Sequence, residues 1–314
     1  MIRITAIKSA LAVLLVLVFA GVCSHAQSAD ASTLSVGRFV VQAYEGGNSP
    51  LLSEAILTQS LVWDPKGEIF AYDAPRFRPR KIAQGIDPAL SPDGSMVAYC
   101  GFVPGQVVSQ IMVMKSDGSG QKQLTNMGGS PCAPAWSPDG MKIAFSVESG
   151  RGQAVMVLDF ESKTITPIAL GTLPRWSPDG KHLLFLRKPE THGAKASIWA
   201  ADADGKHARL VVDTNALIPS AVWGSDGKSI LYTNDDHLRS AIFRVNMDGT
   251  NSEKFAGDKN LEMYFPTMSP DGKKIAVVIA DGNRLMLMEI DLATQKSRWL
   301  ANGERGDVVW VKSH

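Results

Sequence analysis

Residues 136–140 read Trp-Ser-Pro-Asp-Gly, and this five-residue pattern recurs along the chain. Full or nearly full copies begin 40 to 47 residues apart, at Leu90, Trp136, Trp176, Trp223 and Met268. Proline presets the second position of a type I turn, serine suits the first, and glycine accepts a left-handed conformation at the fourth. Each copy is therefore predicted to be the tight turn of a hairpin, where the residue before the serine ends one strand.

The segments that follow each turn also repeat. One apolar run comes directly after the turn, as in Lys142–Phe145, and a second run follows, as in Ala154–Val157. The second run often ends in Asp-Gly, as at Asp204-Gly205, and a short fourth segment such as Ala208–Val211 closes the unit. Four short strands joined by tight turns, repeated at about 45 residues, are typical of β-propeller blades.

These units resemble the WD40-like (PD40) repeats of the TolB family of periplasmic propellers, over roughly residues 60–312. The resemblance implies a propeller that binds other proteins. Similar repeats also occur in the propeller domains of prolyl-oligopeptidase-type peptidases and in oligogalacturonate lyases, so the motif is specific for architecture and poor for function. TolB carries an α/β domain before its propeller, whereas about 30 residues precede the predicted ring here, and this difference puts membership of the Tol-Pal system in doubt.

The chain is predicted to be all-β, a six-bladed propeller of four-stranded blades over residues 55–314. Five inner strands precede the five turns, and Asp307–Trp310 copies such a segment near the C-terminus. We predict that this segment joins outer strands at Ile69–Asp73 and Arg80–Ala83, so that N- and C-terminal strands share one blade and close the ring. Residues 34–62 are expected to supply its second strand and an extended arm, and residues 27–54 are assigned to an N-terminal arm or linker.

The N-terminus has the order of a secretory signal peptide, predicted over residues 1–26. Arg3 and Lys8 are basic, Ala10–Ala20 is an unbroken apolar run, and a small-x-small pattern follows at Ser24 and Ala26. A retained N-terminal anchor is the alternative, whereas lipidation at Cys23 is disfavoured because valine stands where a small residue is expected. The mature chain is thus predicted to be periplasmic or secreted, without a transmembrane span.

Charge and motifs narrow the classes of function. The formal net charge of +1 lacks the basic surplus of a nucleic-acid binder. The chain contains no Gly-x-Ser-x-Gly or His-Glu-x-x-His motif. We therefore predict a monomeric, non-enzymatic module that binds an envelope protein or peptide. The alternatives are a saccharide-acting lyase or hydrolase and a small-ligand binder, each with a divalent ion at the channel mouth; exposed aromatic rings at Tyr264 and Phe265 would support the small-ligand binder.

Two groups of polar residues are candidate sites. Residues at the starts of inner strands are expected to line the channel mouth, and they are Asp87, Arg175, Glu262 and Asp307. Oxygen and imidazole ligands in one loop could hold a divalent ion, and they are Asp235, Asp236 and His237. The alternatives are a water-filled channel and a solvated polar loop. No cofactor is required by the sequence, but the resemblance to TolB implies calcium as the candidate ion.

The two cysteines outside the predicted leader are Cys100 and Cys132. Both are expected near the same face of neighbouring blades, at the end of a second strand and the start of an inner strand. An exported chain meets an oxidising compartment, so a disulfide between them is allowed. Two buried free thiols fit the sequence equally well.

Overall fold

A computed structural model of the chain describes residues 34–43, 67–73, 80–103, 105, 108–149, 152–187, 196–214, 216, 218–235, 240–257, 262–281, 284–302 and 305–312. Every regular element within these ranges is a β-strand. The predicted signal peptide, including Cys23, lies outside the described residues. Within the described part of the chain, no helix long and apolar enough to cross a membrane is found.

The strands form four-stranded antiparallel sheets, as the repeat predicts. The first three strands in the chain are β1 (Leu34–Ala43), β2 (Glu68–Asp73) and β3 (Arg80–Gln84). Blade I contains β4 (Ile86–Leu90), β5 (Met96–Phe102), β6 (Ser109–Lys115) and β7 (Lys122–Gln123). Blade II contains β8 (Ser130–Trp136), β9 (Lys142–Ser149), β10 (Gly152–Asp159) and β11 (Ile165–Leu170).

The remaining blades repeat this order of inner to outer strands. Blade III contains β12 (Thr172–Trp176), β13 (His182–Arg187), β14 (Ala196–Asp202) and β15 (Arg209–Thr214). Blade IV contains β16 (Ala221–Trp223), β17 (Ser229–Asp235), β18 (Ser240–Asn246) and β19 (Glu253–Ala256). Blade V contains β20 (Glu262–Met268), β21 (Lys274–Asp281), β22 (Arg284–Asp291) and β23 (Ser297–Asn302), and the last strand is β24 (Arg305–Lys312).

One further sheet combines strands from both ends of the described chain, in the order β24-β1-β2-β3, and is called the shared sheet below. The register of β24 and β1 runs from Leu34 opposite Lys312 to Gln42 opposite Arg305. Strand β1 lies inside residues 27–54, so part of the predicted arm or linker is a strand of this sheet. Strand β1 is also the second strand that residues 34–62 are expected to supply to this sheet.

The Ser-Pro-Asp-Gly turns have the predicted geometry. In blade I, the Gly94 amide donates to the Ser91 carbonyl at 2.8 Å, and Gly94 has a left-handed φ of 69°. The Ser91 hydroxyl donates to Asp93 Oδ1 at 2.6 Å and accepts a hydrogen bond from the Met96 amide at 2.9 Å. The motif therefore links the end of β4 to the start of β5 through side chains as well as backbone.

Tryptophans at the ends of three inner strands link blades II, III and IV to the blade before each. Each indole is buried, and its N–H donates to a backbone carbonyl in the preceding inner strand. The three bonds run from Trp136 to Ala89 at 3.2 Å, from Trp176 to Ala135 at 3.1 Å and from Trp223 to Arg175 at 3.1 Å. We call these contacts the tryptophan bonds.

The core lies in layers between the faces of successive blades. Ala98 and Val113 of blade I, for example, pack with Trp136 and Ile143 of blade II. Equivalent layers join blades II and III, III and IV, and IV and V. Burial of apolar area in these layers is the main stabilising contribution, and it requires each blade to have a neighbour.

Candidate binding site at the inner strands

The inner strands share a bulge that shapes the innermost surface of the propeller. In β4, β8, β12 and β20 the pairing register shifts at a residue that precedes proline and has a φ of 48–53°. These residues are Asp87, Ala133, Leu173 and Phe265. A left-handed backbone conformation costs a non-glycine residue about 1–2 kcal/mol. Because the bulge recurs in four blades despite this cost, it is a regular structural feature of these inner strands.

The inner strands lie next to one another: β4 contacts β8, β8 contacts β12, β12 contacts β16 and β16 contacts β20. The bulges therefore lie on the innermost strands, where successive blades contact one another. Because the side chain at the bulge varies while its backbone does not, the bulge can present different chemistry from each blade. Asp87 carries a carboxylate and Leu173 a partly exposed apolar side chain, whereas Ala133 is buried.

The four predicted channel residues lie at three different levels of their strands. Glu262 begins β20 and is exposed, whereas Asp87 lies in the bulge of β4 and is partly buried. Asp307 occupies the matching position in β24, three residues before Trp310, as Asp87 stands three before Leu90. Arg175 does not start its strand as predicted: it is the fourth residue of β12 and lies beside Trp176, near the turn. Strand β12 starts at Thr172, so a residue adjacent to the motif cannot also start the strand.

The two cysteines join blades I and II in a disulfide, with a distance of 5.2 Å between their Cα atoms. Cys100 lies in β5 and Cys132 in β8, and both are buried. Asp87 approaches the pair: its Oδ2 is 3.3 Å from Cys132 Sγ and 4.0 Å from Cys100 Sγ. The pairing of Ile86 with Cys100 explains part of this proximity, but the sequence contains no signal that the next blade brings Cys132 to the same carboxylate.

The second predicted site falls between blades IV and V and is only partly described. Asp235 ends β17 and is buried, and Tyr264 donates a hydrogen bond to its Oδ2 at 3.3 Å. The same hydroxyl lies 3.4 Å from Glu262 Oε2. Burial, together with the nearby charges of Asp235 and Glu262, raises the pKa of Tyr264. Asp236 and His237 lie outside the described residues.

The aromatic residues expected at the channel mouth differ in exposure. Tyr264 is buried, with 5% of its surface exposed, so it does not offer an open stacking surface. Phe265 is only partly buried, and its ring centroid lies 6.3 Å from that of Tyr264. The small-ligand interpretation keeps one of its two aromatic residues. The described inner strands thus carry carboxylates at Asp87 and Glu262, at different levels, together with partly buried apolar side chains at Leu173 and Phe265.

Repeated four-stranded antiparallel blades, hairpin turns and tryptophan bonds define a β-propeller built from sequence repeats. The TolB beta propeller domain (PD40) family model matches residues 78–188 and 168–308. The chain therefore belongs to the TolB β-propeller (PD40) family.

Comparison with individual proteins gives relatives that include a Tol-Pal system protein and a dipeptidyl-peptidase. The chain is 24% identical over 172 residues to the Tol-Pal system protein TolB of Francisella tularensis, a match that covers 53% of this chain and 39% of that protein. It is 32% identical over 133 residues to dipeptidyl-peptidase 5 of Porphyromonas gingivalis, covering 40% of this chain and 19% of the peptidase. The matched region thus spans well under half the length of either relative.

The crystal structure of TolB from Acinetobacter baumannii has a similar fold. The TM-score is 0.64 at 16% identity, and the match covers 87% of this chain and 66% of the TolB chain. At this level of identity the likeness supports the propeller architecture.

Proposed function

We propose that the protein is an exported, periplasmic propeller that acts as a monomeric protein-binding or scaffold module, and that it recognises an extended, basic segment of an envelope protein at the channel mouth. The observation that carries the proposal is the chemistry of the inner strands, where Asp87 and Glu262 accompany apolar and aromatic residues of the bulges. Carboxylates attract lysine and arginine, and a partly exposed ring such as Phe265 adds a face for a cation. Family membership and the TolB relatives favour a protein partner.

We propose that the blades form a closed ring around this channel and that the shared sheet is the sixth blade. Strand β24 contacts β4 on one side and β20 on the other, which supports closure. Ile69 and Ile82 of the shared sheet pack with Val97 and Tyr99 of blade I. Closure of this kind would also protect sheet edges from pairing with other chains.

Charge reversal at the channel mouth tests the proposal. Residues 27–314 are used to capture proteins from an envelope extract, and bound proteins are identified by mass spectrometry. Glu262→Lys is expected to weaken capture of a specific partner at least about tenfold, since it replaces attraction with repulsion at the site. Glu253→Lys, on the outermost strand of blade IV, is the matched control because Glu253 is also exposed but far from the inner strands.

Equal capture by both variants would contradict binding at the channel mouth. Synthetic basic and acidic peptides of the same length then test the chemistry directly, and preference for the acidic peptide would also contradict the proposal.

A second candidate function uses a divalent ion, with calcium as the first choice, and either binds a small ligand or acts on a saccharide. The buried carboxylate of Asp235 beside Glu262 favours it, because hard cations prefer oxygen ligands. Elemental analysis of the purified protein is the test. One calcium per chain, lost in Asp235→Asn and retained in Asp213→Asn, would move this candidate ahead of the protein-binding module.

A further inference from the structure

We propose that reduction of the Cys100–Cys132 disulfide opens a binding site for a thiophilic divalent ion, best matched by Zn²⁺, in which Asp87 supplies the third protein ligand. The three side chains already place one sulfur or oxygen atom each within 4.8 Å of the others. The proposal goes beyond the protein-binding role, although both use the carboxylate of Asp87, and it predicts a metal-bound state that exists only when the cysteines are reduced.

The distances fit tetrahedral zinc. Bond lengths of about 2.3 Å to sulfur and about 2.0 Å to oxygen give tetrahedral edges of about 3.5 Å between oxygen and sulfur and about 3.8 Å between two sulfurs. Asp87 Oδ2 lies 3.3 Å and 4.0 Å from the two sulfurs, which brackets the required oxygen–sulfur edge. When the disulfide breaks, the sulfurs separate to van der Waals distance, which is close to the sulfur–sulfur edge.

The backbone holds the carboxylate in place independently of the ion. Asp87 occupies the left-handed position of the β4 bulge, with φ at 48° and Pro88 after it. Aspartate tolerates this conformation better than most residues. The matching residues of the other described bulges are Ala133, Leu173 and Phe265, which carry no metal-binding atom. Blade I alone among these four therefore combines the bulge with a ligand.

The three ligands differ in burial, and this difference suits an ion with one coordination position left open. Cys100 and Cys132 are 0% and 3% exposed, whereas Asp87 is partly exposed. The protein ligands would hold the ion from the inside, and a water molecule or a group from a partner would complete four-coordination. Asp307 lies at the matching register position of β24, a strand that contacts β4.

The chemistry balances with a dithiol reductant. A dithiol, such as the active-site cysteine pair of a thioredoxin-like protein, passes two electrons and two protons to the disulfide and becomes a disulfide itself. The products are the two thiols of Cys100 and Cys132. Zn²⁺ then displaces both thiol protons to solvent and binds two thiolates and one carboxylate. Thiolates favour Zn²⁺ over Ca²⁺ or Mg²⁺, which prefer oxygen.

The test uses the full chain with Zn²⁺ itself and with Co²⁺ as a spectroscopic probe. The protein is reduced, freed of reductant under anaerobic conditions and titrated while thiolate-to-cobalt charge-transfer absorption is recorded. Reduced protein is expected to bind one ion per chain and to show this absorption, whereas oxidised protein shows none. Asp87→Asn is expected to weaken affinity by about 10–100-fold, at least as much as losing an outer-shell partner.

Controls separate a specific site from thiol chemistry in general. Asp213→Asn, an exposed substitution on β15, should bind as the parent chain does, and Cys100→Ser should lose the charge-transfer band of a two-thiolate site. Far-UV circular dichroism is recorded on every sample. The proposal is overturned if reduced protein binds no stoichiometric ion, if Asp87→Asn binds as tightly as the parent, or if reduction alone unfolds the chain.

Discussion

Replacement of Trp176 by phenylalanine tests whether the tryptophan bonds hold the blades together. The substitution removes the donor of a buried 3.1 Å bond to the Ala135 carbonyl and leaves that acceptor without the indole. Loss of one partner from a buried hydrogen bond costs about 1–3 kcal/mol. The smaller ring also leaves unfilled volume beside Leu183 and Val157, which adds about 1 kcal/mol when complete removal of a core tryptophan costs about 3–5 kcal/mol. Trp176→Phe should therefore lower the free energy of unfolding by about 2–4 kcal/mol.

Urea unfolding followed by far-UV circular dichroism measures this loss, since the change in midpoint at constant slope gives the change in free energy. Fluorescence is avoided because the substitution removes a reporter. Trp299→Phe is the matched control: Trp299 lies on the outermost strand of blade V and is 54% exposed, so its replacement should change stability by no more than about 0.5 kcal/mol. If both variants lose the same free energy, the tryptophan bonds do not stabilise the contact between blades.

Three further predictions follow from turns, charges and the disulfide. Gly205→Ala should prevent or severely weaken folding, because an added Cβ would lie 2.5 Å from a backbone carbonyl of the preceding blade. Gly140→Ala is the control: its added Cβ would lie 3.9 Å from the nearest atom, so the variant should lose only about 1–2 kcal/mol, which is what a left-handed backbone costs alanine. Thermal unfolding measures the stability of both variants. The serine hydroxyl and backbone amide bonds of its turn hold the pKa of Asp93 at about 2, below its ordinary 3.8. The stabilisation is thus complete above the ordinary pKa and disappears as pH falls towards 2, so Asp93→Asn should make urea midpoints less sensitive to pH in that range, and an unchanged pH profile would contradict it. Joint replacement of Cys100 and Cys132 by alanine should lower stability by about 2–4 kcal/mol, as expected for a cross-link spanning 32 residues, and an unchanged urea midpoint would count against this.

The repeat predicts the blades well because the information is local. Each Ser-Pro-Asp-Gly turn contains its own hydrogen-bonding groups, so the hairpin between β8 and β9 can be read from Ser137–Gly140 alone. No turn motif marks β1 and its partner β24 is remote, so the sequence places this second strand only within residues 34–62, whereas the structure gives its bounds as Leu34–Ala43.

The sequence pattern does not predict the bulge of the inner strands, for a physical reason. A residue before proline is biased towards extended backbone, which predicts that Asp87 continues its strand. The observed φ of 48° is left-handed instead, at the point where the pairing of β4 with β5 shifts register. The contact of Asp87 with Cys132 then depends on the distance between two blades, which no local pattern encodes.

The direction of the tryptophan bonds has a consequence for how the molecule can be made. Every donor lies in the later blade and every acceptor in the earlier one, as with Trp136 and Ala89 or Trp223 and Arg175. A blade that leaves the ribosome first therefore presents its carbonyl acceptors before the indole of the next blade arrives. In blades II to IV each inner strand thus brings its own indole to a strand that is already in place, so these blades can dock one after another from the N-terminal side, and each fixes the position of the next.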